Sequence, residues 1–123
     1  MIQIVKDADT RPWFFLQTAH TTYGMRVMET GHLEHLYYGE RITVDSQDPA
    51  SCAPLVIQRA FAPGNTCTYD REHPQISMED VCLEVGTLGK GDIREPFLEV
   101  RFADGSVTSD FTFDSYEVIT LKG

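Results

Sequence analysis

The sequence predicts an all-β fold, an antiparallel β-sandwich, on three observations. Apolar and polar residues alternate with period two on both sides of Asp104-Gly105. Trp13–Thr18 is aromatic and apolar on both faces, and no stretch carries an amphipathic helix of three turns. At 123 residues the chain fits one domain and is long enough to bury a core of its own. It is too short for a (β/α)8 barrel, which takes about 250 residues.

In chain order, Met1–Asp9 has no basic stretch leading into an apolar run of about 7 to 15 residues, so no signal peptide is expected. Nothing approaches the roughly 18 apolar residues of a membrane span. Trp13-Phe14-Phe15-Leu16-Gln17-Thr18 reads as a strand inside a sandwich, because a rim strand would have one polar face. Trp13 could stack on a sugar ring, but beside Phe14 and Phe15 core packing is the plainer reading. Tyr23–Met28 and Leu33–Tyr38 flank Glu29-Thr30-Gly31-His32, a short Gly-containing connection that predicts a hairpin. His32 and His35 have the spacing of an H-x-x-H metal pair. Residues three apart on a strand face opposite sides, so no metal site is assigned to them.

From Glu40 to Glu79 the periodicity breaks down, punctuated by Asp48-Pro49, Ala53-Pro54, Ala62-Pro63-Gly64-Asn65 and His73-Pro74. A connection this long inside a compact domain points to function. Gln58-Arg59-Ala60-Phe61 and Tyr69-Asp70-Arg71-Glu72 bring amide, guanidinium, carboxylate and aromatic groups together, the set that binds neutral polyols such as sugars. A surface loop with local ion pairs is the alternative.

Asp80–Val85 resumes strand character and leads into Gly86, Gly89 and Gly91, then Asp92, Arg94, Glu95 and Pro96. A glycine loop can cradle phosphate, but here no helix pattern follows and two acids stand where an anion would go. An ion pair from Arg94 to Asp92 or Glu95, holding the loop, is the simpler reading. Leu98, Val100 and Phe102 then alternate with Glu99, Arg101 and Ala103, Asp104-Gly105 makes a turn, and Val107, Ser109, Phe111 and Phe113 alternate with Thr108, Asp110, Thr112 and Asp114. This predicts a hairpin with one buried face. Ser115–Leu121 offers a further strand.

A net charge of -9 argues against nucleic acid or an anionic membrane as partner. Cys52, Cys67 and Cys82 are odd in number, so one at least is free, and a reducing cytoplasmic setting is expected. No cofactor is indicated.

Phe15-Leu16-Gln17-Thr18, Thr22-Tyr23, Gly31 through Gly39, Arg59-Ala60-Phe61, Gly91 through Pro96, Asp104-Gly105-Ser106 and the closing Tyr-Glu-Val-Ile resemble the N-terminal domain of the glycoside hydrolase family 36 α-galactosidases. The likeness runs in order over nearly the whole chain. It implies a large twisted β-sandwich, or supersandwich, here truncated at its C-terminal end, that precedes a catalytic (β/α)8 barrel. The parent it implies is a retaining enzyme acting on terminal α-galactosyl residues of melibiose- and raffinose-type sugars. Such an enzyme needs two carboxylates about 5 to 5.5 Å apart. The family keeps both on the barrel, so none of the 19 acids here is nominated as catalytic and the chain alone is expected to be inactive.

The resemblance further implies a tetrameric parent in which loop residues of this domain reach the sugar site of a neighbouring subunit. The carry-over falls on Gln58, Arg59, Ala60, Phe61, Asp70 and Arg71, with Gly91, Asp92, Arg94, Glu95 and Pro96 as the structural loop. Gln58 stands where relatives often carry Asp, and Ile93 where they carry an aromatic. The alternative is a stand-alone β-sandwich carbohydrate-binding module, for which Trp13, Tyr37 and Tyr38 are the candidate stacking residues. A bare structural or oligomerisation domain is a third reading.

Overall fold

A computed structural model describes residues 1–56, 69–73, 76, 81–87, 96 and 98–120. Four strands, β1 (Ile2–Lys6), β2 (Pro12–Gln17), β3 (Thr21–Val27) and β4 (Leu33–Glu40), form one antiparallel sheet in the order β1-β2-β3-β4. Each strand is joined to the next by a tight turn. Between β1 and β2, Asp7 Oδ1 accepts the amides of Asp9 (2.9 Å) and Arg11 (3.0 Å). Between β2 and β3, the Thr18 hydroxyl oxygen accepts the Thr21 amide at 2.9 Å. Side chains that bond the nearby backbone in this way favour turns over continued strand. The β3–β4 turn closes through Gly31 N–H to Met28 C=O (2.8 Å), with Gly31 at φ +92°, a conformation most side chains disfavour.

The doubly apolar run expected at Trp13–Thr18 is buried as predicted through Phe15, while Leu16 is 38% exposed and Thr18 lies past the strand end. β2 lies between β1 and β3, and four of its six residues in succession, Pro12 to Phe15, are buried. One face carries Val5, Trp13, Phe15 and Leu36, covered by the segment after β4 through Val44, Cys52 and the short 3-10 helix Pro49–Leu55. On the other face Phe14 meets Phe113 (ring centroids 6.1 Å) and Tyr116 (5.1 Å). At the end of the core Gln17 and Thr22 are buried but satisfied. Gln17 Nε2 donates to Gln3 Oε1 (3.1 Å) and to the Ile42 carbonyl (3.2 Å), the Thr22 hydroxyl donates to Gln17 Oε1, and the Ile42 amide donates back to Thr22 (3.0 Å).

The predicted β3–β4 hairpin is present, from Thr21 to Glu40. The late hairpin is corrected. Its turn forms as expected, with Gly105 at φ +89°, Gly105 N–H to Phe102 C=O (3.0 Å) and Ser106 N–H to Asp104 Oδ1 (2.9 Å). No strand is present among the described residues of 98–120, and Phe102, expected inward, is 47% exposed. Alternation sets which face is apolar, but a two-stranded ladder is marginal without a third strand or a packed layer. Among the described residues the segment meets the sheet and its β3–β4 turn from Asp110 onward, through Asp110 on His32 and through Phe113 and Tyr116 on Phe14. The strand expected at Asp80–Val85 is, over its described residues 81–85, a single bridge on β4, Leu83 opposite Glu34, with His35 N–H to Cys82 C=O at 2.7 Å and Glu84 N–H to Leu33 C=O at 2.9 Å. The strand expected at Ser115–Leu121 is absent over its described part, although Tyr116 packs on Phe14. Conversely, β1 is a strand for which the sequence reading made no claim.

Candidate functional site

The polar loop singled out in the sequence is described at Tyr69–His73. Tyr69 is half-buried, Asp70, Arg71 and Glu72 are exposed, and the Tyr69 amide donates to the Ile76 carbonyl at 2.7 Å, closing the loop. Asp70 Oδ1 accepts the His73 amide at 2.8 Å and lies 2.7 Å from His73 Nδ1. Desolvation pushes the Asp70 carboxyl up, but the hydrogen bonds and charge of His73 outweigh it, so its pKa falls below the usual value. Arg71 has neither a hydrogen bond nor an ion pair among the described residues. Gln58, Phe61, Gly91, Asp92, Arg94 and Glu95 lie outside the described residues. Pro96 is half-buried.

Behind the loop runs a chain of polar contacts that the sequence reading missed. Asp110 uses both carboxylate oxygens: Oδ2 accepts the Tyr69 hydroxyl at 2.5 Å and Oδ1 lies 2.5 Å from His32 Nε2. His32, 2% exposed, contacts the Thr30 hydroxyl through Nδ1 at 2.7 Å. An ionised carboxylate can only accept, so Nε2 carries the proton, and in the neutral ring Nδ1 accepts from Thr30. The Tyr69 ring stands edge-on to His32, centroids 4.9 Å apart at 88°. Periodicity had placed Asp110 on a wet strand face. Its partners lie 41 and 78 residues away, and no local pattern encodes them.

A second cluster ties β3 and β4 to residues 82–84. The Tyr23 hydroxyl donates to Glu84 Oε2 (2.5 Å), whose Oε1 is 3.2 Å from His35 Nδ1. His32, in the turn just before β4, and His35, within β4, thus turn to separate carboxylates. Among the described residues no group of three or more His, Cys, Asp or Glu could hold a metal ion. Tyr23 and Tyr69 are each pushed up to about 12, first by desolvation and then by the carboxylate each bonds. In an absorbance titration of phenolate, Tyr23→Phe and Tyr69→Phe are each expected to remove part of the component that ionises near pH 12. Linkage fixes the sign. A folded pKa above the unfolded value of 10.0 gives stability that is present below pH 10 and lost as pH rises towards 12.

Of the three candidate stacking residues, Trp13 is buried with the Arg26 guanidinium 5.4 Å from its ring centroid. The Tyr37 hydroxyl is bonded to the Glu40 carbonyl at 2.7 Å and its ring packs on the core. Tyr38 alone of the three is freely presented, at 69% exposure. One ring makes a poor stacking face. Cys52 and Cys82 are free thiols, and burial raises the pKa of Cys52, disfavouring its reactive thiolate. Among the described residues no helix is long and apolar enough to cross a membrane.

The described residues form an antiparallel β domain whose exposed polar loop, Tyr69–His73, is braced from behind by Asp110 and His32. The sequence profile of the glycosyl hydrolase family 36 N-terminal domain matches residues 31–123, and the chain belongs to that family. It is 35% identical over 106 residues to the bifunctional alpha-galactosidase/sucrose kinase AgaSK of Mediterraneibacter gnavus, covering 85% of this chain and 11% of that protein. To the alpha-galactosidase AgaA of Geobacillus stearothermophilus it is 28% identical over 109 residues, covering 89% of this chain and 14% of that one. The chain therefore spans little more than a tenth of these curated relatives. The crystal structure of the alpha-galactosidase from Lactobacillus brevis superposes with a TM-score of 0.74 at 33% identity, covering 92% of this chain and 14% of that chain. The galactosidase domain of AgaSK gives 0.72 at 30% identity, covering 94% and 15%.

Proposed function

We propose that this chain is the non-catalytic N-terminal domain of a retaining α-galactosidase that hydrolyses terminal α-galactosyl residues of melibiose- and raffinose-type sugars. The observation that carries the reading is the identity of 35% with AgaSK and 33% with the Lactobacillus brevis α-galactosidase, sustained over 85% and 92% of this chain. In it, the catalytic (β/α)8 barrel lies outside these 123 residues and is this domain's partner within a homo-oligomer, a tetramer. The domain supports that assembly, and Gln58, Phe61, Asp70 and Arg71 contribute to the sugar site. Asp70 and Arg71 suit the task because they stand exposed and adjacent, one an acceptor and the other a fork of donors for neutral hydroxyls. Free thiols at Cys52 and Cys82 are in keeping with a reducing, cytoplasmic setting.

Arg71→Ala in the intact enzyme is expected to lower kcat/KM on raffinose roughly tenfold, the worth of a charge-assisted hydrogen bond lost. An unchanged value removes Arg71 from the site. The 123-residue chain alone is expected to release no p-nitrophenol from p-nitrophenyl α-galactoside, and release would overturn its assignment as non-catalytic.

A further inference from the structure

We infer that Tyr69 and Asp110, backed by His32 and Thr30, are positioning residues that set where Asp70 and Arg71 present themselves to a galactoside. This rests on the subsite reading above and deepens it. The loop tip is exposed, so its own packing cannot define the geometry of Asp70 and Arg71. Definition has to come from its base. Among the described residues the base is held by the Tyr69 amide on the Ile76 carbonyl, by the Ile76 amide on the His73 carbonyl and by the Tyr69 hydroxyl on Asp110 Oδ2.

Asp110 can act as a fixed joint because its other oxygen is occupied by His32, which is buried. His32 is fixed in turn. Its carbonyl accepts the Met28 amide at 2.8 Å inside the β3–β4 turn, and its Nδ1 engages Thr30. The Phe113 amide donates to the Gly31 carbonyl at 2.6 Å, pinning the segment that carries Asp110 to the same turn. Three segments distant in sequence thus meet at one carboxylate, and the loop residue it holds is bonded directly to Asp70. His73 then orients the Asp70 carboxylate through two contacts to the same oxygen. Ligand-binding groups need placement to within about 0.5 Å, supplied by a supporting shell with locked side chains. A hydroxyl-to-carboxylate bond one residue from the binding pair meets that need.

The test is Tyr69→Phe in the intact enzyme, which removes the hydroxyl and keeps the ring. Tyr23→Phe, which breaks the same kind of bond at Glu84, is the control. The expected result is a KM for raffinose raised roughly three- to tenfold by Tyr69→Phe with kcat within about twofold, the range of one hydrogen bond. Tyr23→Phe leaves KM unchanged, and Tyr69→Phe raises KM by a smaller factor in an Arg71→Ala background than in the unaltered enzyme, because residues acting through one another are non-additive. An unchanged KM in Tyr69→Phe while Arg71→Ala raises it overturns the positioning role. If Arg71→Ala itself has no effect, the subsite reading fails instead, and amide hydrogen exchange on the intact enzyme decides the brace alone. Tyr69→Phe must then speed exchange at residues 69–73 while leaving β2 and β3 as they were, and unchanged exchange there overturns it.

Discussion

Phe15→Ala is expected to destabilise the domain by about 3 to 5 kcal/mol, read as a fall in the urea midpoint at constant slope. Phe15 is 0% exposed and is the largest fully buried side chain described. It clusters with Val5, Trp13, Leu36, Val44 and Cys52, so truncation leaves a cavity among them. Against a typical total of about 5 to 15 kcal/mol, that loss is a large fraction of the domain's stability.

The room for this ring is created across the sheet. Phe15 pairs with Gly24 in β3, and a Cβ on Gly24 would come within 3.0 Å of Phe15 Cε1 and 3.1 Å of Cδ1. Because the ring is packed on its other sides, it cannot retreat without moving its neighbours. Gly24→Ala should therefore cost about 1 to 3 kcal/mol, although alanine is ordinarily as good as glycine or better in a strand. Adding Phe15→Leu to Gly24→Ala should cost less than the sum of the two single changes, since the smaller side chain relieves the clash. Additive losses would show that the close approach is not the cause.

Asp110→Ala should have the second large effect, about 3 kcal/mol, because it strips two partners at once. His32 Nε2 would be left buried with its proton unshared, and the Tyr69 hydroxyl would lose its acceptor. Asp110→Asn should cost less than half as much. Its amide oxygen can still take the Tyr69 hydroxyl, while its NH2 faces His32. That NH2 can only donate, so Nε2 must become the acceptor and the proton must move to Nδ1, where it can be given to the Thr30 oxygen. The prediction is therefore a change of tautomer at His32 in Asp110→Asn, visible in its ring nitrogen shifts. An unchanged tautomer with retained stability would mean that the asparagine makes no bond to His32.

How far these features are legible in the sequence follows from the range of the forces that make them. The run Trp13–Phe15 shows in its composition that both faces are covered, and Glu29–His32 shows a turn between two strands. Both are properties of a few consecutive residues, and the fold class follows from them together with the missing helical period. Asp104-Gly105 announces its turn equally well, because a turn needs only its own backbone. The flanking alternation announces a face but cannot supply the neighbouring strand, which is why Leu98–Phe113 makes the turn and no ladder. In the site, residue types alone mark Asp70 and Arg71 as groups suited to a sugar. The brace behind them depends on chain segments 41 and 78 residues apart arriving at one carboxylate. Such a meeting is set by the packing of the whole sheet and its covering segments, not by any stretch of sequence near Asp110, and only the folded chain discloses it.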